Sequence, residues 1–287
     1  MLDQGNNSIS NSDSNSTVLS ELTTSTRRYL GRCNDTACLA DTKSDLREQP
    51  SAHPVRTPNN LHYACKTQPA LRDSLQSIYV GKNDVAYRYM QGSVITFSID
   101  YGSFPDFRST LYAMYSLVEA ADEWNRGGIG VIFRMVPTRE PAVFQLVYST
   151  DNEGRLNCLA ESFFPNDTQG EEQPRLYVFW SAFLQLSFDH MVNTFCHELG
   201  HILGVRHGHA RTDEREARTS SMEVGEYDPS SVMNYYDDLN QMRIRESDYN
   251  NVRRFYALDG EERYDNFTIR TIVPKEFDPL SHGWQLL

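Results

Sequence analysis

A chain of 287 residues with 39% hydrophobic residues, 14 Phe and 16 Tyr has enough apolar material for one large domain plus extensions, or for two small domains. Its net charge of −12 excludes nucleic acid and anionic membrane surfaces as default partners, because both call for a basic surface. No apolar run reaches the roughly 18–20 residues that a membrane span requires, so no membrane partner is expected.

Residues 1–26 are rich in Ser, Asn, Thr and Asp, bury too little apolar surface to offset their ordering entropy, and read as a disordered tail. They show no basic stretch followed by an apolar core, so no signal peptide is read. Residues 27–85 are mixed, with Cys33 and Cys38 close together and little periodicity, and read as an N-terminal extension or prosegment.

Periodic elements begin near Ser93. Val94, Thr96 and Ser98 alternate with Ile95, Phe97 and Ile99, the period of a half-buried strand. Phe107, Leu111, Met114, Val118 and Ala121 then recur at helical spacing, predicting an amphipathic helix that ends near Trp124 and Asn125, with Gly127 and Gly128 in the turn. Gly130 to Val136, Ala142 to Tyr148 and Leu176 to Trp180 read as strands, rich in Val, Ile and aromatic residues. Leu176 to Trp180 is either an exposed strand able to pair with a peptide or an ordinary core strand. A helix is predicted from about Asp189 to Leu203, and a last one from Ser247, as N-cap, through Tyr256. This order predicts an α+β domain with a twisted mixed sheet over residues 86–260, followed by a C-terminal tail over 261–287.

The second of those helices carries the chemistry. His197 and His201 lie four residues apart, one turn and about 6 Å of rise, so both imidazoles share a face and can reach one Zn²⁺. Gly204 can leave the right-handed helix without a steric penalty, and His207 can then return as a third ligand. Three histidines leave a fourth position for water, which marks a catalytic rather than a closed structural zinc site. Glu198, beside the first ligand, is suited to take the proton of that water and hand it to the leaving amine; the plainer role is to orient a ligand.

The run from His197 to His207, followed downstream by Ser231-Val232-Met233-Asn234-Tyr235, resembles the signature of the metzincin zinc peptidases. The resemblance covers about residues 86–260 and implies a zincin fold with an active-site helix and a C-terminal helix. It also implies one catalytic zinc on His197, His201 and His207, Met233 beneath the histidines, and protein or peptide substrates cut by a zinc-bound water with Glu198 as base and acid. Tyr227-Asp228-Pro229 before the methionine is similar to astacins, which implies Tyr235 as a fifth ligand at rest and a stabiliser of the oxyanion. Leu159 to Pro165 is similar to matrixins, with Glu161 where they place a histidine for a second zinc, and Gly208 stands where astacins carry glutamate. The function that follows is a zinc metalloendopeptidase; the rival is an inactive zinc-containing binding module.

Matrixin prosegments block the open metal position with a cysteine. Arg32-Cys33-Asn34 offers a cysteine without the surrounding motif, and a plain extension is the reading adopted. Cys196 is either bridged to Cys158 or a buried thiol. Sequons at Asn6, Asn15, Asn34, Asn166 and Asn266, with five cysteines, point towards an extracellular destination. The oligomeric state is not legible.

Overall fold

The computed structural model describes residues 63, 65, 79–81, 84–152, 156–166, 172–207, 222–225, 228–259, 263–264 and 267–278. The segment 1–26, the Cys33 latency candidate, Gly208, His209 and Tyr227 lie outside them.

A five-stranded sheet forms the frame. It is built from β3 (Val94–Ile99), β4 (Ile132–Met135), β5 (Phe144–Ser149), β6 (Ala160–Glu161) and β7 (Arg175–Phe179), in the order β4-β3-β5-β7-β6. All neighbours are parallel except β6, which runs antiparallel to β7 at the edge. The sheet is therefore mixed, as the sequence indicated. One detail departs from the sequence reading. Strand β3 is buried on both faces rather than one, because it is an interior strand between β4 and β5. Of the two readings left open for Leu176 to Trp180 the core strand fits: β7 pairs with β5 on one side and β6 on the other, and β6 is the edge strand on that side.

Helix α1 (Phe107–Arg126) crosses from β3 to β4. It starts where Asp106 accepts the Ser109 N–H at 2.8 Å, a side-chain cap, and ends at Gly127. Its face of Leu111, Met114, Leu117, Ala120, Ala121 and Trp124 is buried. Helix α2 (Met191–Ile202) packs on it, and Trp124 Nε1 donates to the Cys196 carbonyl at 2.8 Å. Cys196 thus lies against α1, while the Cys158 sulfur turns towards the Ala160 carbonyl in β6. The two are separate buried thiols, so the bridge between them is not formed.

Two smaller sheets complete the described residues. β1 (Tyr79–Val80) lies between β8 (Val205–Arg206) and β9 (Met222–Glu223), antiparallel to both. β2 (Val85–Tyr89) pairs in parallel with β11 (Phe267–Ile272), which forms a hairpin with β10 (Arg263–Tyr264). The start of the stretch read as a C-terminal tail is therefore a paired strand.

Helix α3 (Glu246–Ala257) starts one residue before Ser247, with Arg245 at the cap position. Its cap comes from within: the buried Asp248 carboxylate accepts from Arg245 N at 2.8 Å. The same carboxylate accepts from Ser231 Oγ at 2.5 Å and Val232 N at 3.1 Å, tying the turn that holds Met233 to α3. Met233 in turn fills the space left by Gly200 on α2, where an added Cβ would sit 2.3 Å from its sulfur.

Two outcomes are expected. Gly200→Ala forces Met233 to shift and lowers unfolding stability by about 1–3 kcal/mol, readable from the urea midpoint. Burial outweighs the three donors on Asp248 and pushes its pKa from 3.8 up to about 6. A raised carboxyl favours the protonated fold, so its contribution is complete below the unfolded value and fades as pH rises through about 6. Wild type should lose ~3 kcal/mol relative to Asp248→Asn between about pH 3.5 and 7, because the amide does not titrate; parallel stability profiles for the two proteins would contradict this.

Candidate metal centre

The histidines are gathered by three different devices. His197 and His201 sit one turn apart on α2 and are fully buried. The helix then ends at Leu203, and Gly204 takes φ +95°, a left-handed conformation that a side chain disfavours. A Cβ there would also stand 2.6 Å from the Tyr87 carbonyl. The chain reverses into β8, whose pairing with β1 fixes Val205 opposite Val80 and Arg206 opposite Tyr79. His207, the next residue, is delivered back to the helix face and is also fully buried.

His207 Nε2 lies 2.9 Å from His197 Nε2 and 3.1 Å from His201 Nε2. The remote nitrogens are pinned: His197 Nδ1 lies 2.7 Å from the Val232 carbonyl and His201 Nδ1 2.8 Å from the Val205 carbonyl. A carbonyl only accepts, so each Nδ1 carries the proton and each Nε2 presents a lone pair to the centre. Burial holds the His197 imidazole below its usual pKa, and burial together with His197 pushes His201 down to about 3. Both shifts favour the neutral ring, the form that binds metal.

The fourth donor is Cys65, a residue the sequence reading had not singled out. Its Sγ is 3.4 Å from His201 Nε2, and donor atoms of Cys65, His197, His201 and His207 all lie within 4.8 Å of one another. A tetrahedral site with metal–nitrogen bonds of about 2.0–2.1 Å separates its nitrogens by about 3.3–3.4 Å, and a thiolate at about 2.3 Å lies about 3.5–3.6 Å from them. The two nitrogen–nitrogen separations, 2.9 and 3.1 Å, fall short of that spacing by up to about half an ångström, and the sulfur at 3.4 Å from His201 Nε2 lies close to it. Converging imidazole lone pairs in a buried space repel one another unless a cation lies between them. The four donors therefore fit a metal ion.

Glu198 is fully buried and its two oxygens face different surroundings. Oε1 accepts from the Tyr63 hydroxyl at 2.7 Å and from the Cys65 thiol at 3.2 Å. Oε2 accepts from Ser162 Oγ at 2.7 Å. Burial alone raises the carboxyl, but His201, His197 and the hydroxyls of Tyr63 and Ser162 outweigh it and hold Glu198 below its usual pKa. Burial and the Glu198 charge raise the Tyr63 phenol, which keeps its proton as a donor. Its ring also stands edge-on to His197, with centroids 5.2 Å apart.

Tyr235 lies beside His207: its hydroxyl is 3.0 Å from His207 Nδ1, the ring nitrogen turned away from the donor cluster. His190 precedes α2 and is outside the cluster. The residues sequence reasoning missed are Tyr63, Cys65 and Ser162. Cys65 lies more than a hundred residues from the histidines it meets, and no spacing rule links them. Ser162 sat within the stretch compared with matrixins and follows β6 directly, so its place beside α2 was open to suspicion.

No protein-family model matches the chain, and no curated protein matches it. Among solved structures, the crystal structure of myroilysin aligns at 20% identity over 44% of this chain, with a TM-score of 0.29. The aligned part spans about half of myroilysin's length, 52%. The likeness is partial.

Proposed function

We propose that this chain is a zinc metalloendopeptidase of the metzincin type, held here in a latent form by Tyr63 and Cys65. The observation that carries the reading is the convergence of His197, His201 and His207 Nε2 beside the Glu198 carboxylate, with Cys65 sulfur as the fourth donor. A divalent ion on these nitrogens supplies a Lewis acid for a peptide carbonyl and makes water acidic enough to attack near neutral pH.

The chain's own residues supply the rest. Glu198 Oε1, which faces the Cys65 sulfur, is the oxygen placed to take the proton of the attacking water. As the new carbon–oxygen bond forms and the carbon–nitrogen bond breaks, the same carboxyl returns the proton to the departing amine. Tyr235 is the donor we assign to the developing oxyanion, a role in which its hydroxyl leaves His207. The short edge strand β6, directly before Ser162, is the place for an extended peptide to add by main-chain hydrogen bonds. Protein or peptide substrates follow from that arrangement. The extracellular destination belongs to the same proposal and rests on the sequons, since the described cysteines are thiols.

Cys65 and Tyr63 stop this chemistry at two points. The sulfur takes the position that water needs, and the phenol occupies the oxygen that would accept the proton.

Purified protein should hold about one zinc per chain, and with Cys65→Ala and Tyr63→Phe opening the site a chelator should abolish its cleavage of a denatured protein. In that opened background Glu198→Gln should keep the zinc and lose about 100- to 10,000-fold in rate; full activity in that variant would sink the mechanism. Wild type that binds zinc yet cuts no peptide library, even with Cys65 and Tyr63 replaced, would instead favour an inactive binding module.

The latch has its own signature. Cys65→Ala should raise basal activity of the full chain, and adding Tyr63→Phe should raise it again. A Cys65→Ala protein no more active than wild type removes the latch.

A further inference from the structure

Glu198 needs only one free oxygen to move a proton, and the structure treats its two oxygens unequally. Oε1 faces the donor cluster, where Cys65 Sγ stands 3.2 Å away. Oε2 faces the sheet, where Ser162 Oγ stands 2.7 Å away. We propose that Ser162 is a positioning residue, which anchors Oε2 of Glu198 so that Oε1 alone points at the reaction centre. The proposal rests on the peptidase reading above and adds to it the residue that aims the base.

Three observations support the assignment. Ser162 has two acceptors within reach, Glu198 Oε2 at 2.7 Å and the Glu198 carbonyl at 3.0 Å, but only one hydroxyl proton. That carbonyl lies inside α2, where the helix's own N–H groups already serve it. The carboxylate offers the shorter, charge-assisted bond, so it takes the proton. Second, Ser162 follows β6 directly, and its side chain is buried like that of Ala160 two residues earlier, on the same face by the strand's period of two. The pairing of Ala160 with Val178 and Glu161 with Tyr177 roots the hydroxyl in the sheet rather than in a loose loop. Third, Tyr63 and Cys65 donate to the other oxygen, Oε1, and come from far upstream in the chain. Once they withdraw, Ser162 still holds Oε2 from within the domain. The carboxylate then cannot rotate freely about its last bond, a freedom that would otherwise dilute the productive orientation.

The test compares full-length chains, all carrying Tyr63→Phe and Cys65→Ala to open the site, with Ser162 as Ser, Ala or Thr. Ser162→Ala should lower kcat roughly 10- to 100-fold, the loss expected for one hydrogen bond to a charged group. KM and bound zinc should stay unchanged, and Ser162→Thr, which restores the hydroxyl, should recover most of kcat. Crystal structures of the same proteins give a readout independent of turnover: the Glu198 carboxyl should keep one orientation with Ser or Thr and rotate or split into conformers with Ala. An unchanged kcat, or a Glu198 that keeps its orientation in the Ala variant, overturns the positioning role while leaving the peptidase reading intact. A loss confined to zinc content or KM also overturns it. If the Ser162 parent holds zinc and cuts nothing, the peptidase reading falls and this role falls with it.

Discussion

Three imidazoles turn their Nε2 atoms towards one point, and the backbone around two of them keeps them there. An imidazole is a good ligand only in the right tautomer, and the tautomer is fixed by what the far nitrogen meets. Here the far partners are the Val232 carbonyl, the Val205 carbonyl and the Tyr235 hydroxyl. Two of these partners are themselves held: Val232 by the Asp248 carboxylate, and Val205 by the pairing of β8 with β1. The α1 and α2 contact, with Met233 packed against Gly200, sets the height of the helix against that turn. The fold is thus a set of backbone acceptors positioned for histidine.

The buried carboxylate next to these rings poses the opposite problem. A lone ionised Glu198 at zero exposure would carry a large desolvation cost. Among the donors that answer it are Ser162, from the edge of the main sheet, and Tyr63 and Cys65, from far upstream in the chain. The carboxylate to which we assign the proton transfer is also the one that holds the phenol and the thiol. In the proposed reading, latency and activity draw on one electrostatic feature.

What could be read from the sequence was what local geometry dictates. The spacing of His197 and His201, the break at Gly204 and the return of His207 follow from helix pitch and glycine's backbone freedom, and the structure has them so. Strands β3, β4, β5 and β7 and helices α1 and α2 follow from period and composition. What escaped was what depends on distant pairing. Strand β7 is apolar like an exposed binding strand, yet its neighbours β5 and β6 decide its place. Ser247 is a good cap by type, but the buried Asp248 outcompetes it by bonding Arg245 N. Cys65 and Tyr63 carry no spacing signal, because their partners lie on the other side of the chain.

Strand β1 is two residues long and joins strands from well beyond it: β8 on one side and β9 on the other. It lies downstream of Cys65, yet it braces the strand that delivers His207. If the proposed latch is removed by trimming, a cut that spares this brace falls on the N-terminal side of Tyr79. A chain trimmed past Cys65 but before Tyr79 sheds its blocking sulfur and keeps the brace. A chain trimmed past Val80 sheds both, and the strand that leads into His207 loses its pairing with β1. Under the proposed latency, losing the sulfur and keeping the brace are compatible only within that window.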